Sequence, residues 1–234
     1  MLRSLFLFKL INVITMKKTI FSLVVLATLS LTSCKNEKTE TTETVDAAVA
    51  TEEASIYTVD ESKSIIEWVG SKPAGKHNGT IALSKGELAL NNGKVESGNF
   101  TIDMNTITVL DLATGDGKED LEGHLKGRGK EEDADHFFNT KKFPEGTFEI
   151  TAVQTIDAVT TVSGNLTLKD ITKSVSFPAT ISVDGDTVML NSETFIIDRT
   201  QWNVNYASKS IFDDLKDKFV NDEIELKVSL TATK

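Results

Sequence analysis

The chain has 234 residues, 39% hydrophobic and 26% charged, which suits one globular domain with a real core plus appendages. Its 25 basic against 35 acidic side chains give a formal net charge of -10, so phosphate backbones repel it and no nucleic acid is expected as a partner. The single cysteine excludes an internal disulfide.

From Met16 the chain reads MKKTIFSLVVLATLSLTSC, two lysines followed by an apolar run and small residues before Cys34. This is the layout of a secretory signal, predicted over residues 1–33 with Met16 as the expected start. The apolar run over residues 20–31 is too short for a favoured membrane span. Leu31-Thr32-Ser33-Cys34 resembles the bacterial lipobox, whose cysteine is diacylated and becomes the mature N-terminus. Cys34 is therefore the candidate lipid-attachment residue, and a lipid-anchored protein of the bacterial envelope is expected, periplasmic or surface-facing. Lys35 follows in place of the aspartate that commonly retains lipoproteins in the inner membrane, which favours the outer one. The first 33 residues hold four basic residues and no acid, so their removal leaves 21 basic against 35 acidic side chains, a net charge of -14. Residues 34–55 are rich in Thr, Glu and Ala and too poor in apolar side chains to offset their ordering entropy, so they read as a flexible tether. The domain is expected over residues 56–234.

In that domain apolar and polar residues alternate with period two. Residues 57–60 and 64–69 read as one strand interrupted at 61–63. Lys72-Pro-Ala-Gly-Lys-His-Asn-Gly79 reads as a loop by its Pro, Gly and Asn-Gly content. Residues 80–83 and 87–90 are short strands with a bulge at Ser84-Lys85-Gly86. Asn91-Asn92-Gly93-Lys94 signals a tight hairpin, and the strand over 95–103 places Phe100 and Ile102 on one face. Residues 116–148 then break the alternation. Charged turns there carry Leu121, Leu125, Phe137, Phe138, Phe143 and Phe148, a pattern that predicts a helical or irregular lid folded over a sheet.

Beyond the lid, strands are predicted over 147–153, 160–168, 171–183 and 188–198, with turns at Lys169-Asp170 and Asp184-Gly-Asp186. Ile211, Phe212, Leu215 and Phe219 fall at helical spacing, which predicts a short amphipathic helix over 208–220. The last strand, 224–230, alternates throughout. Such an all-β meander hides its edges best by closing into an antiparallel barrel of about eight strands.

The polar residues offer little chemistry. His77, His124 and His136 have no metal-ligand spacing, and the acidic run Asp116-Gly-Lys-Glu-Asp-Leu-Glu122 places Lys118 where a calcium loop needs a ligand, so no metal is expected. No nucleophile elbow, Cys/His pair or P-loop occurs, so no catalytic residue is assigned. Asp198 and Arg199 form the most suggestive polar pair. Neighbours on a strand point to opposite faces, so the two are expected to bond different partners in structural support.

The segment order resembles the YceI-like family of lipid-binding proteins. The resemblance rests on Tyr57-Thr-Val-Asp60 with residues 65–68, His124-Leu125 before Asp135-His-Phe-Phe138, Phe143-Pro144 and Thr147-Phe148. It continues through Val162-Ser-Gly-Asn-Leu-Thr-Leu168, Ile171-Thr-Lys-Ser-Val-Ser-Phe177, and Ile197-Asp-Arg199 before Trp202-Asn-Val204, and covers about residues 56–232. It implies a lipocalin-like barrel enclosing a long isoprenoid chain in an apolar tunnel, with no other cofactor and no catalysis. The residues it nominates as ligand-binding are Phe100, Ile102, Phe137, Phe138, Phe143, Phe148, Phe195, Ile197 and Trp202. Two departures are visible: Asn203 stands where the family often has glycine, and residues 126–133 look inserted. The rival readings are a lipid-modifying enzyme using polar groups at the tunnel mouth, and an interaction barrel with a filled core. Whether the chain forms a homodimer is left open by the sequence.

Overall fold

A computed structural model describes residues 41–234, so the expected signal segment and Cys34 lie outside the described residues. Ten antiparallel strands make up one sheet: β1 (Ser55–Val59), β2 (Ile65–Lys72), β3 (Gly75–Asn91), β4 (Lys94–Val109), β5 (Glu145–Ile156), β6 (Val159–Leu168), β7 (Ile171–Asp184), β8 (Thr187–Ser192), β9 (Phe195–Asp198) and β10 (Glu223–Thr233). β10 pairs with β2 through residues 224–229 and with β8 through residues 229–233, which closes a ring of eight strands. The two short strands extend that ring. β1 continues β2 beyond a 3₁₀ turn at Glu61–Lys63, and β9 continues β8 along β10. The barrel expected from the alternation is therefore present, including the interruption at 61–63.

Tight turns fix the register. Asn92 and Gly93 (φ 50° and 74°), Asp157 and Ala158 (50° and 67°), and Lys169 and Asp170 (48° and 59°) all adopt the positive φ of hairpins whose twist matches that of the strands. The β3–β4, β5–β6 and β7–β8 hairpins lie at one end of the barrel. The opposite end carries the β2–β3 and β6–β7 hairpins, the lid between β4 and β5, and the segment 199–222. Interior packing follows the period-two pattern: Leu88 and Val188, both fully buried, fill the barrel toward the hairpin-only end.

Two expectations are corrected. Residues 75–79, predicted as loop, are the first rungs of β3 and pair with Lys72 back to Trp68. The physical reason is the indole of Trp68, which lies against Gly79. A Cβ there would sit 2.7 Å from the ring and 1.8 Å from the Thr108 carbonyl oxygen, so the glycine marks a close approach and not flexibility. The amphipathic helix predicted over 208–220 does not form. Only a 3₁₀ turn at Lys216–Lys218 is present, and Asp214 and Lys216 adopt positive φ. The Val220 amide donates to the Ala207 carbonyl at 2.9 Å, closing the segment as a loop, and Ile211 and Phe212 face solvent with no surface to pack on.

The first described residues cross the outside of the barrel. Thr42 exchanges both backbone bonds with Ser174 (3.2 and 3.1 Å) on β7, which pairs with β8 only from Ala179 onward. Val45 donates to Asn165 Oδ1 and accepts from its Nδ2, the Ala48 amide donates to the Ile150 carbonyl, and Thr51 donates to Glu96. Residues 42–51 thus meet strand backbone at Ser174 and Ile150 and side chains at Asn165 and Glu96.

Candidate functional site

Inward-facing residues of the barrel leave two connected spaces. The inner one, about 80 Å³, is walled by apolar side chains, with Phe100 and Ile102 from β4, Phe148 from β5, Phe177 from β7 and Phe195 from β9. Their rings form a chain around the wall: Phe100 to Phe148 at 6.3 Å between centroids, Phe148 to Phe177 at 5.8 Å, and Phe177 stacked on Phe195 at 4.4 Å. Gly164 makes room for this arrangement, because a Cβ there would lie 2.3 Å from the Phe148 ring. The outer space, about 350 Å³, lies under the lid and is lined by Trp68, Ile107, Phe137, Phe138, Ile197 and Tyr206 among others. Ile66, Ile102, Leu166 and Leu226 border both spaces, so the two adjoin inside the barrel, the larger under the lid, where Lys72, His77, Arg199, Lys218 and Asn221 join its mainly apolar lining. A volume of about 350 Å³ falls in the range of small-molecule sites, which start at about 300 Å³.

The lid is one helix, α1 (Lys118–Lys126), followed by a 3₁₀ turn at Glu131–Asp133. Glu119 and Asp120 sit in its first turn, where the helix dipole favours negative charge, and Leu121 and Leu125, four residues apart, both line the outer cavity. The acidic run that resembled a calcium loop is used internally. Glu119 accepts from the Gly115 amide at 3.0 Å and Glu122 from the Val109 amide at 2.9 Å. Residues 126–133 are also anchored, with Arg128 donating to Asn105 Oδ1 at 2.8 Å on β4.

Two buried cations hold the lid end together. The Lys169 ammonium donates to the carbonyls of Asp135, Phe137 and Asn203 at 3.3, 2.8 and 3.1 Å, and lies 3.6 Å from Asp135 Oδ1. Desolvation lowers its pKa, opposed by the Asp135 charge. Arg199 is almost wholly buried. It donates to the carbonyls of Asn221, Val204, Tyr206 and Val220 and lies 3.5 Å from Asp222. Asp198 instead accepts from the amide and hydroxyl of Thr200. The pair therefore bonds different partners, and Arg199 spends its donors on the loop that closes the barrel end.

A third polar cluster lies in the lid itself. His124 Nε2 and His136 Nδ1 are 3.0 Å apart, and Tyr206 packs against both rings at 4.7 and 4.4 Å. Desolvation, then the neighbouring His136, pushes the His124 pKa down, against a smaller pull from Asp133. In this geometry one imidazole donates to the other, so the pair holds together with at most one proton beyond neutrality.

The nominated ligand residues divide into four sets. Phe100, Phe148 and Phe195 face the inner space, Phe137, Phe138 and Ile197 the outer one, and Ile102 both. Trp202 and Phe143 line neither. Trp202 is fully buried with its Nε1 donating to the Leu166 carbonyl at 3.0 Å, and Phe143 is half-buried beneath Lys142 at 4.8 Å. Sequence reasoning missed Phe177, which the alternation Val175, Phe177, Ala179 would have placed inside. It also missed Trp68, whose buried Nε1 has no acceptor among the described residues.

A model of the YceI-like domain matches residues 57–232. The chain belongs to this family. BcnA of Burkholderia cenocepacia has a similar fold, with 24% identity and a TM-score of 0.57 over 75% of this chain and 99% of that one. A polyisoprenoid binding domain from Saccharophagus degradans, implicated in plant cell wall breakdown, is 13% identical with a TM-score of 0.53 over 76% and 97% of the two chains. Both likenesses establish the YceI-like fold. No curated protein matches the chain. The departure at Asn203 is explained by its backbone: φ 56° and ψ 33° place it in the left-handed region, which asparagine tolerates next best to glycine.

Proposed function

We propose that this YceI-like protein is an envelope lipoprotein that binds and sequesters or carries a polyisoprenoid, or a similar long-chain amphiphile, inside the barrel. The observation that carries the reading is the pair of adjoining, mainly apolar spaces inside the barrel, the larger of them beneath the lid. The inner space is walled by apolar side chains, and the outer one is lined by residues of α1 and of the 199–222 segment. Each CH₂ moved from water into such a space contributes about 0.8 kcal/mol, so a few isoprene units supply a micromolar-class driving force before association costs. The buried cations near the opening support binding more than catalysis, since Lys169 and Arg199 direct their donors at protein carbonyls. The signal-like segment ending at Cys34 supports an acyl anchor and an envelope location. Native mass spectrometry of the protein purified from its host tests the reading: a copurifying lipid-sized mass is expected, returned unchanged on release. An empty barrel, or a chemically altered ligand, would count against it.

A further inference from the structure

The loop between β9 and β10 is tied at both flanks, and between them its bonds run within the loop, the Lys218 amide donating to the Leu215 carbonyl and Lys209 lying over the Phe219 ring at 4.9 Å. Ser208 bridges Val220, the Val220 amide donates to Ala207, and Arg199 gathers the carbonyls of Val204, Tyr206 and Val220. Between these ties residues 209–219 project, with Ile211 and Phe212 side by side at 46% and 49% exposed. No other phenylalanine among the described residues is exposed. Lys218, Val220 and Asn221, at the base of the same projection, line the outer cavity. Two exposed apolar side chains therefore sit on the loop whose base lines the outer cavity.

We propose that Ile211 and Phe212 dock the tunnel rim onto a neutral, zwitterionic lipid bilayer, so that the cargo chain passes between tunnel and membrane without crossing water. The inference rests on the lipid-carrier reading above. Escape through water would be slowed about fourfold for every methylene exposed, which a rim seated on the bilayer avoids. Residues 209–219 balance Lys209, Lys216 and Lys218 against Asp213, Asp214 and Asp217, with two of the acids next to the tip, and the mature chain carries a net charge of -14, so a neutral bilayer suits this face better than an anionic one and insertion is limited to the two side chains. The path of the chain agrees. Thr42 meets β7 at Ser174, four residues from the lid-end hairpin Lys169-Asp170, and an anchor at Cys34 would be eight residues from Thr42, a reach of at most about 29 Å. That reach keeps the rim beside the membrane holding the anchor.

The test uses the full chain carrying Cys34→Ala, so that an acyl anchor does not mask docking. Flotation with phosphatidylcholine and phosphatidylethanolamine vesicles, and transfer of a fluorescent geranylgeranyl probe to them, are measured for this chain and for versions adding Phe212→Glu or the milder Ile211→Ser with Phe212→Ser. Ile156→Glu is the control, since Ile156 is 67% exposed at the opposite end of the barrel. We expect transfer to speed up with acceptor vesicle concentration, and both tip variants to slow it at least about tenfold while probe affinity without vesicles and the Ile156→Glu rate stay unchanged. Transfer independent of vesicle concentration, equal loss in the Ile156→Glu chain, or sedimentation showing that the tip pairs two copies of the chain would overturn docking. If the probe is not bound at all but flotation still depends on Phe212, the carrier reading falls and docking stands.

Discussion

The ammonium of Lys169, on the β6–β7 hairpin, lies 2.8 Å from the carbonyl oxygen of Phe137 in the lid. This bond joins the lid to the β6–β7 hairpin, where Lys169 itself adopts a positive φ of 48°. Replacing Lys169 by methionine keeps the length of the chain and leaves three carbonyls without their donor. We expect a loss of about 2 kcal/mol, in the range for hydrogen bonds to a charged group. Amide exchange should rise over residues 118–143 with β3 to β7 still protected. Uniform exchange across the barrel would show that the clamp serves the whole fold and not the lid.

The histidine pair predicts how stability depends on pH. The folded protein holds His124 below its ordinary value of 6.5, so around and below that pH the unfolded chain binds more protons than the folded one. Stability should therefore be full above about pH 7 and fall as pH drops through 6.5. Asp60, Asp111 and Asp135 are shifted below an ordinary 3.8, so their contribution is lost only in stronger acid. Thermal melts between pH 7.5 and 5.5 isolate the histidine effect, and His124→Gln should flatten the curve. An unchanged slope in that variant would place the pH response elsewhere.

The ring of strands was legible because period-two alternation and hairpin turns are local signals, and both survive in the structure from residue 95 to 103, from 160 to 198 and from 224 to 230. Three kinds of feature were not. Gly79 looked like loop composition because glycine marks flexibility and close packing alike, and only the Trp68 indole tells the two apart. The 208–220 segment had helical spacing, but spacing stabilises a helix only where a surface receives its apolar face. Of the site, the inner Phe residues followed from alternation and family resemblance. The Lys169 clamp and the His124–His136–Tyr206 cluster depend on contacts between residues 12 to 82 positions apart, which no local pattern encodes.

The inner space should be sensitive to one methyl group. In Gly164→Ala the new Cβ would meet the Phe148 ring at 2.3 Å and the Glu149 carbonyl oxygen at 2.6 Å, and the second of these is backbone that cannot swing away. Overpacking of this kind costs about 1 to 3 kcal/mol. We expect a lower melting temperature together with weaker binding of long isoprenoid probes and near-normal binding of short ones that occupy only the outer space. Equal loss for both probe lengths would mean that the inner space holds no part of the chain.

Cys34→Ala should abolish membrane association while leaving the barrel folded, because several acyl chains hold a protein firmly where a single apolar loop tip gives at most weak, reversible contact. Cell fractionation with a high-salt wash, alongside circular dichroism of the released protein, checks both halves. A variant that still pellets with membranes after the wash would remove the case for an acyl anchor.

The two lid phenylalanines should separate stability from binding. Phe137 is buried among His124 at 5.0 Å, Tyr206 at 5.4 Å and the Arg199 guanidinium at 5.9 Å, so it is both packing and cavity wall. Phe138 is only partly buried, yet it lines the same cavity and its amide donates to the Leu125 carbonyl at 3.1 Å, which holds the ring against the end of α1. An aspartate at 137 would lose the packing of a large ring, worth about 3 to 5 kcal/mol for truncation alone, and place a carboxylate where it must be desolvated or take up a proton. We expect Phe137→Asp to lower the melting temperature severely. At 138 the carboxylate can still reach water while confronting any apolar chain in the outer space. Phe138→Asp should therefore keep most of the stability and lose at least about tenfold in isoprenoid affinity. Fluorescence displacement and thermal melts on both variants decide the matter. If Phe138→Asp binds lipid like the parent, the outer space is not part of the binding path; if it unfolds like Phe137→Asp, the ring is core and its place in the cavity wall has no bearing on function.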